Sequence, residues 1–309
     1  MIGGVLAGIS AGLVLPVQTT INTRLGRRAG SVFLASLISF SVGTLVLVLA
    51  LGATRPGIDW GVLPGQPWWI WVGGLCGVAF LTFNIVLMRA LGASSAVVLP
   101  IVGQVIGGVL IDTTGAFGAT RVALGPARSA GALLVVLGAA MANMRPRRGR
   151  PQDIDEGAPG ALRVVALGGA AVLTGTFSAT QATVNGRLGV VAGSPLFAAT
   201  VSFVVGTLAL ALIVASLRVR PVLRQIASAE PWWIWSGGAL GAGFVLANSA
   251  IAPVLGTGLT VSVVLLGQIV SGLVVDHLGL LGAPRRPVGA LRVLGALTVL
   301  AGVVLVRLV

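Results

Sequence analysis

The chain is built from two copies of one sequence, and this repeat constrains its fold more than any other feature. The segment QTTINTRLG at 18–26 returns at 181–189 as QATVNGRLG. The segment PWWIW at 67–71 returns unchanged at 231–235. Between these two matches the spacing of the copies changes by one residue, from 163 to 164. So small a drift over half a chain indicates a tandem duplication.

The segment between the copies differs from both in composition. Residues 145–160 are rich in Arg, Pro and Gly and show no apolar period, which is typical of a flexible linker. We therefore expect three parts: a first unit at 1–144, the linker at 145–160 and a second unit at 161–309.

Each unit contains five apolar stretches long enough to cross a bilayer, which takes about 20 residues. Hydrophobic residues make up 56% of the chain and charged residues only 9%, whereas a soluble domain carries roughly 25% charged residues. The stretches lie at roughly 2–23, 31–52, 68–90, 93–114, 122–143, 162–185, 194–216, 232–251, 256–277 and 288–307. The sequence predicts an all-α membrane protein with ten transmembrane helices. Because five is odd, the two five-helix repeats are predicted to be inverted relative to each other.

The arginines predict an orientation. The formal net charge is +13, and all 20 basic residues are Arg. With the N-terminus outside, fifteen of the 20 fall on the inner side, as the positive-inside rule predicts. The other five are Arg55, Arg121, Arg128, Arg187 and Arg307. We therefore expect a multi-pass membrane protein with both termini outside and the linker in the cytoplasm. The charge then reports orientation and indicates no nucleic-acid partner.

Polar side chains inside the predicted spans are the candidate substrate-binding groups, because a bilayer offers them no hydrogen-bonding partner. They form two matching sets: Gln18, Asn22, Asn84 and Gln104 in the first repeat, and Gln181, Asn185, Asn248 and Gln268 in the second. Each amide could instead hydrogen-bond a neighbouring helix. That alternative is open above all for the two mid-span glutamines, because the small residues beside them let helices approach closely.

Asp112 and Asp276 are the acidic residues within the predicted spans. The predicted orientation puts Asp112 near the outer end of the fourth span and Asp276 near the inner end of the ninth. Such a pair could couple transport to a proton or cation, or each carboxylate could simply terminate its helix. The single Cys and single His cannot form a His/Cys metal cage, and we expect no metal site or cofactor.

The doubled five-span unit, with its Gln-x-x-x-Asn-x-Arg-Leu-Gly and Pro-Trp-Trp-x-Trp segments, resembles the YdcZ-type branch of the drug/metabolite transporter superfamily, here as a fused pair. The resemblance implies a transporter of the bacterial inner (plasma) membrane. One feature departs from the superfamily, whose small multidrug transporters bind a cation or proton with a Glu in the first span. No Glu occurs in any predicted span here, and Gln18 and Gln181 cannot titrate. The resemblance therefore does not imply that this chain shares the proton-antiport chemistry of the small multidrug transporters.

These observations together predict a secondary transporter, and not an enzyme, that moves a small metabolite or drug by alternating access between the repeats. Two alternatives remain open, a lipid scramblase and a membrane enzyme acting on a lipid-linked substrate. The enzyme would need a cluster of acids, His or Lys near the headgroups, and the chain has no Lys. The expected partners are the solute and the lipid bilayer.

Overall fold

The computed structural model describes residues 2–90, 92–143, 161–220, 223–282 and 288–307. Within these ranges the chain forms α-helices and short 3-10 helices, and no strand. The α-helices are α1 (Ile2–Ala29), α2 (Val32–Thr54), α3 (Gly73–Ala90), α4 (Gly92–Thr114), α5 (Pro126–Asn143), α6 (Ala161–Val191), α7 (Pro195–Ser216), α8 (Leu223–Ala229), α9 (Gly237–Leu255), α10 (Thr257–Leu278) and α11 (Ala290–Arg307). The predicted linker at 145–160 lies outside the described residues.

Each apolar stretch of the sequence coincides with an α-helix, and α8 is an additional short helix that the sequence did not predict. Among the described residues, five helices are long and apolar enough to cross a membrane: Ile2–Ala29, Val32–Thr54, Pro195–Ser216, Trp232–Leu255 and Thr257–Val275. Four shorter apolar helices accompany them, at Gly73–Leu87, Leu99–Thr114, Pro126–Ala142 and Ala290–Leu305. The prediction of an all-α protein with several membrane-spanning helices is confirmed.

The turn after the first helix of each repeat is built in the same way. Gly30 and Gly193 adopt φ angles of +65° and +71°, a conformation that strains any residue with a Cβ. Ser31 and Ser194 follow, and each hydroxyl accepts a hydrogen bond from the backbone N–H three residues later, at 3.3 and 3.1 Å. These serines cap α2 and α7, so the duplicated sequence produces the same local structure twice.

The two repeats interlock into one helical bundle. Helix α1 packs against α9 and α10 of the second repeat, and α6 packs against α3 and α4 of the first. Gly12 on α1 lies against the backbone of α10 at Val264, and its counterpart Gly175 on α6 lies against α4 at Pro100. A Cβ at either glycine would overlap the facing carbonyl, so small residues set the close approach of these helices.

Helices α2 and α7 meet at the centre of the bundle, where equivalent positions of the two repeats touch. Phe40 stacks on Phe203, with ring centroids 4.8 Å apart and an interplanar angle of 29°. The hydroxyls of Thr44 and Thr207 share a hydrogen bond of 2.8 Å. The two repeats therefore contact each other here through equivalent residues.

The connection between α9 and α10 marks one end of the bundle. Gly4, near the start of α1, lies next to Leu255 in this connection. Thr183, in the C-terminal part of α6, shares a hydrogen bond of 2.9 Å with Thr257 in the same connection. Helix α1 therefore begins at the end of the bundle towards which α6 runs.

Candidate substrate site

A cavity of about 40 Å³ lies between α1 and α3, which is room for about three water molecules. We call it the α1–α3 cavity. Residues of six helices line it, and none of these residues is charged. The lining consists of Leu15, Gln18, Thr19, Asn22, Ser39, Phe40, Gly77, Phe80, Leu81, Asn84, Ile85, Gln181, Phe203, Gly241, Phe244 and Val245. The site is thus a neutral mixture of amides, hydroxyls and phenyl rings.

Gln18 and Asn22 lie one turn apart on α1 and reach the cavity over two glycines of α9. Gln18 is 7% exposed and Asn22 is 1% exposed. A Cβ at Gly241 would clash with the amide of Gln18, and a Cβ at Gly237 would clash with the amide of Asn22. The glycines therefore make the room that lets both amides sit inside the bundle.

Three polar atoms of these amides have no hydrogen-bonding partner among the described residues: Oε1 of Gln18, and Oδ1 and Nδ2 of Asn22. Buried polar atoms without a partner are rare in proteins, because each forfeits the hydrogen bonds that it made in water. The residues that carry these atoms line the cavity, so a molecule that enters and widens it can complete their hydrogen bonds.

The equivalent cavity of the other repeat is smaller, and the nitrogens of its amides are hydrogen-bonded. It lies between α6 and α9, has a volume of about 10 Å³, and we call it the α6–α9 cavity. Gln181 and Asn185 both donate to the hydroxyl of Ser202, at 3.4 and 3.0 Å. Their packing repeats that of the first pair, on Gly77 and Gly73 of α3. The two cavities therefore share their chemistry and differ in conformation.

The two predicted asparagines of α3 and α9 also border the cavities. Asn84 lines the α1–α3 cavity and Asn248 lines the α6–α9 cavity. The Asn248 amide donates to the carbonyl of Phe244, one turn earlier in its own helix, at 2.8 Å. Together with the four amides of α1 and α6, six of the eight predicted binding residues thus face one cavity or the other.

Gln104 and Gln268 take a different place, and neither lines one of these two cavities. Gln104 lies where α4 crosses α6, with its backbone nitrogen next to Gly175. Gln268 lies at the equivalent crossing of α10 and α1, next to Gly12. Both therefore lie at helix crossings, and the buried Nε2 of Gln268 has no hydrogen-bonding partner among the described residues. Their binding role stays a prediction.

Asp112 holds three helices together at the end of the bundle where α1 begins. Its carboxylate accepts hydrogen bonds from the backbone N–H groups of Thr257 and Gly258, at 2.9 and 2.8 Å, at the N-terminus of α10. It also forms an ion pair with Arg128 of α5, and both side chains are buried. A carboxylate at this position complements the positive end of the α10 dipole. We call Asp112, Arg128 and this N-terminus the Asp112 clamp.

A second ion-pair group closes the opposite end, where α1 finishes. Nε of Arg24 lies 2.6 Å from one carboxylate oxygen of Glu230, and Arg28 donates to the other oxygen. The guanidinium of Arg24 also stacks over Trp233, 5.0 Å from the ring centroid. Burial of Glu230 raises its pKa, but the hydrogen bonds and charges of Arg28 and Arg24 outweigh burial and hold the pKa below its ordinary value. We call Glu230, Arg24 and Arg28 the Glu230 clamp.

Arg128 and Glu230 are buried members of these ion pairs, and neither was among the residues predicted from the sequence to have a role in the site. Glu230 precedes the second PWWIW segment at the position where the first repeat has Gln66. The charge directly before an otherwise identical motif was the available signal. Arg128 lies 16 residues beyond Asp112, on the next helix, so the two can meet only through the turn after α4. The side chain of Asp276, the counterpart of Asp112, lies outside the part of the chain that the structure describes.

A bundle of apolar helices around a neutral, amide-lined cavity defines a helical membrane protein with a candidate site inside it. In the residues that the structure covers, no three His, Cys, Asp or Glu side chains come together as metal ligands would. The chain belongs to the family described as "Putative inner membrane exporter, YdcZ", which matches it twice, at residues 3–141 and 167–305. The expected YdcZ-type pair is therefore confirmed, and with it an inner-membrane protein of a transporter family.

Two further comparisons agree with this assignment. The chain is 30% identical over 133 residues to "Inner membrane protein YdcZ" of Escherichia coli (strain K12), a match that covers 42% of this chain and 88% of the E. coli protein. A solved crystal structure superimposes with a TM-score of 0.62 over 97% of this chain and 96% of the other, at 17% sequence identity. The second comparison shows a shared fold, and the first relates a single repeat to nearly a whole protein.

Proposed function

We propose that the protein is a secondary transporter that moves a small organic solute across the inner membrane by alternating access. The observation that carries this proposal is the inequality of the two equivalent cavities, about 40 Å³ against about 10 Å³. Related halves held in two different conformations can exchange those conformations, and in inverted repeats this exchange opens the site to the other side.

The hydrogen bonds of the two cavities suggest what the exchange involves. In the α6–α9 cavity, Ser202 holds Gln181 and Asn185. Its counterpart Ser39 lines the α1–α3 cavity, beside amide atoms of Gln18 and Asn22 that have no partner. After the exchange Ser39 would hold the amides of α1, and the amides of α6 would be free.

The direction of the helices supports the inverted arrangement. Helix α1 begins at the end of the bundle towards which α6 runs, so the first helices of the two repeats point in opposite directions. The Glu230 clamp gives independent support, because it joins the C-terminal end of α1 to the segment before α9. The segment before α9 is the counterpart of the connection that follows α2, and with ten spans that connection lies across the membrane from the end of α1. The clamp can therefore join the end of α1 to the segment before α9 only if the repeats are inverted. In this proposal both termini are outside and the linker at 145–160 is cytoplasmic.

Reporter fusions test this topology. A fusion after residue 150 should report the cytoplasm, and a fusion at the C-terminus should report the periplasm. A cytoplasmic C-terminus would contradict the inverted arrangement and with it the alternating-access proposal. A full-length fusion to the inactive form of each reporter controls for expression.

Asp112 has a supporting role in this proposal. Both oxygens of its carboxylate already accept backbone hydrogen bonds, and one of them also faces Arg128. A coupling group must exchange its partners during transport, whereas these bonds join α4, α5 and α10. We therefore assign Asp112 to the assembly of the bundle.

Cysteine labelling tests the exchange itself. In a Cys76→Ala background, single cysteines are placed at Thr19, which lines the α1–α3 cavity, and at Ala182, its counterpart in the α6–α9 cavity. A small thiol reagent should label Thr19→Cys faster than Ala182→Cys. Adding Ser202→Ala should raise the Ala182→Cys rate and lower the Thr19→Cys rate, because it releases the amides that hold the second cavity closed. Ser39→Ala should shift the two rates in the opposite directions.

Rates that change at only one of the two positions, or in the same direction at both, would contradict an exchange between the cavities. The serine pair provides its own control, since both variants remove one hydroxyl from equivalent sites. Thermal denaturation of each variant in detergent shows that the protein remains folded.

A further inference from the structure

We propose that the α1–α3 cavity selects an uncharged solute with an apolar planar body and a head group that carries a hydrogen-bond donor beside an acceptor. Carboxamides, lactams and the edges of nucleobases have this chemistry. The inference rests on the proposed transport function and names the class of substrate.

The uncharged lining of the cavity disfavours ions. No Asp, Glu, Arg or His lines the α1–α3 cavity, and both ion-pair clamps lie at the ends of the bundle. An ion that entered would lose its hydration and meet no opposite charge, which is costly inside a membrane. The site therefore disfavours organic cations and anions relative to neutral molecules of the same shape.

The unpartnered amide atoms define the head group of the solute. Asn22 presents an unpartnered oxygen and an unpartnered nitrogen, and Gln18 presents an unpartnered oxygen. An amide side chain accepts through its oxygen and donates through its nitrogen. The complement of Asn22 is thus a group with a donor and an acceptor side by side, such as another amide. This pairing satisfies both atoms of Asn22 at once.

The aromatic side chains of the cavity favour a flat apolar body. Phe40, Phe80, Phe203 and Phe244 line the same cavity as the free amides. Phenyl rings contact flat apolar groups favourably through offset stacking or edge-to-face packing. At about 40 Å³ the cavity holds only a few water molecules, so a solute must widen it.

Three probes of nearly identical shape isolate the effect of charge: benzamide, benzoate and benzamidinium. The purified full-length protein in detergent is titrated with each at about 1–10 mM, because a ligand of about nine heavy atoms binds weakly. A ligand that binds the folded state raises its thermal denaturation temperature. Benzamide should raise this temperature, and each ion should raise it less at the same concentration.

Variants identify the site. Asn22→Leu should weaken benzamide binding by about tenfold or more. Gln104→Leu is the matched control, because it also removes a buried amide from a helix but lies outside the cavity, and it should leave the response unchanged. If Asn22→Leu fails to fold, Asn22→Asp replaces it, and this variant should lose the response to benzamide and gain one to benzamidinium.

A response to either ion that equals or exceeds the response to benzamide would overturn the inference. So would the absence of any benzamide response up to 10 mM, or a response that survives at Asn22→Leu. The cysteine-labelling experiment is independent of these probes. If labelling shows the exchange while benzamide fails, transport stands and only the substrate class is wrong.

Discussion

The two ends of the bundle are closed by ion pairs of different kinds. In the Asp112 clamp the side chains are 1% and 6% exposed, whereas in the Glu230 clamp a buried Glu230 is paired with arginines that are 30% and 55% exposed. A buried charge that loses its partner is left uncompensated, but a half-exposed arginine can return to water. We therefore expect the Glu230 end to open at a much smaller free-energy cost than the Asp112 end.

The largest expected effect follows from breaking the Asp112 clamp. Asp112→Ala removes both side-chain hydrogen bonds to the N-terminus of α10 and leaves Arg128 buried without a counter-charge. It should therefore lower the free energy of unfolding by about 3–5 kcal/mol. Thermal and chemical denaturation in detergent measure this loss. Removing Arg128 as well should recover part of the stability, because the uncompensated charge is then gone. A double variant less stable than Asp112→Ala would contradict this account.

The same substitution at the other end should have a smaller effect. Glu230→Ala frees two arginines that water and lipid headgroups can solvate, so we expect a loss of about 1 kcal/mol. This loss should shrink in high salt, which screens exposed pairs. The measurement is the difference in denaturation midpoint between the variant and the parent at low and high salt. If Glu230→Ala destabilises as much as Asp112→Ala, the contrast between the two ends is wrong.

The Glu230 clamp should also depend on pH. The pKa of Glu230 is lowered in the folded protein, so its ion pairs stabilise the fold at pH values above the ordinary carboxyl pKa of about 4.3. This stabilisation is lost as the pH falls below that value, through the lowered pKa, because the carboxylate gains a proton. The stability difference between the parent and Glu230→Gln should therefore be constant near neutral pH and vanish in strong acid. A difference that grows on acidification would contradict the assigned sign.

The smallest expected effect comes from copying part of the Glu230 clamp to the other repeat. Gln66→Glu places a carboxylate at the position equivalent to Glu230, and Arg187 occupies the position equivalent to Arg24. Val191 replaces the second arginine, so only one exposed pair can form and the gain should be under about 0.5 kcal/mol. Adding Val191→Arg should increase it. No gain from the double variant would show that the two ends differ in more than these side chains.

Much of the fold follows from the sequence because apolar length and repetition are local properties. All ten apolar stretches become helices, and the serine-capped turns form in both copies. The C-terminal extension of α1 to Ala29 was not predicted, because Arg24 and Arg28 end the apolar stretch at the sequence level. In the folded chain those arginines bind Glu230, some 200 residues away.

The amides of the site were predictable as a set, but their roles were not. Gln18 and Gln104 are both mid-helix glutamines beside small residues, yet one borders a cavity and the other a helix crossing. The face of a helix that meets each neighbour depends on tertiary packing. The different hydrogen bonding of Gln18 and Gln181 could not be predicted from the sequence at all. Both repeats carry the equivalent serine, and only the conformation of each repeat decides whether that serine binds the neighbouring amides.

The contact between α2 and α7 has a consequence for how such a protein can vary. A residue that meets its own counterpart across a two-fold axis forms the isologous interface of a symmetric homodimer. In a single-repeat dimer every substitution at the axis is made twice, so Phe40 could change only together with its copy. Joining the repeats in one chain removes that restriction, because the rings of Phe40 and Phe203 can now diverge separately.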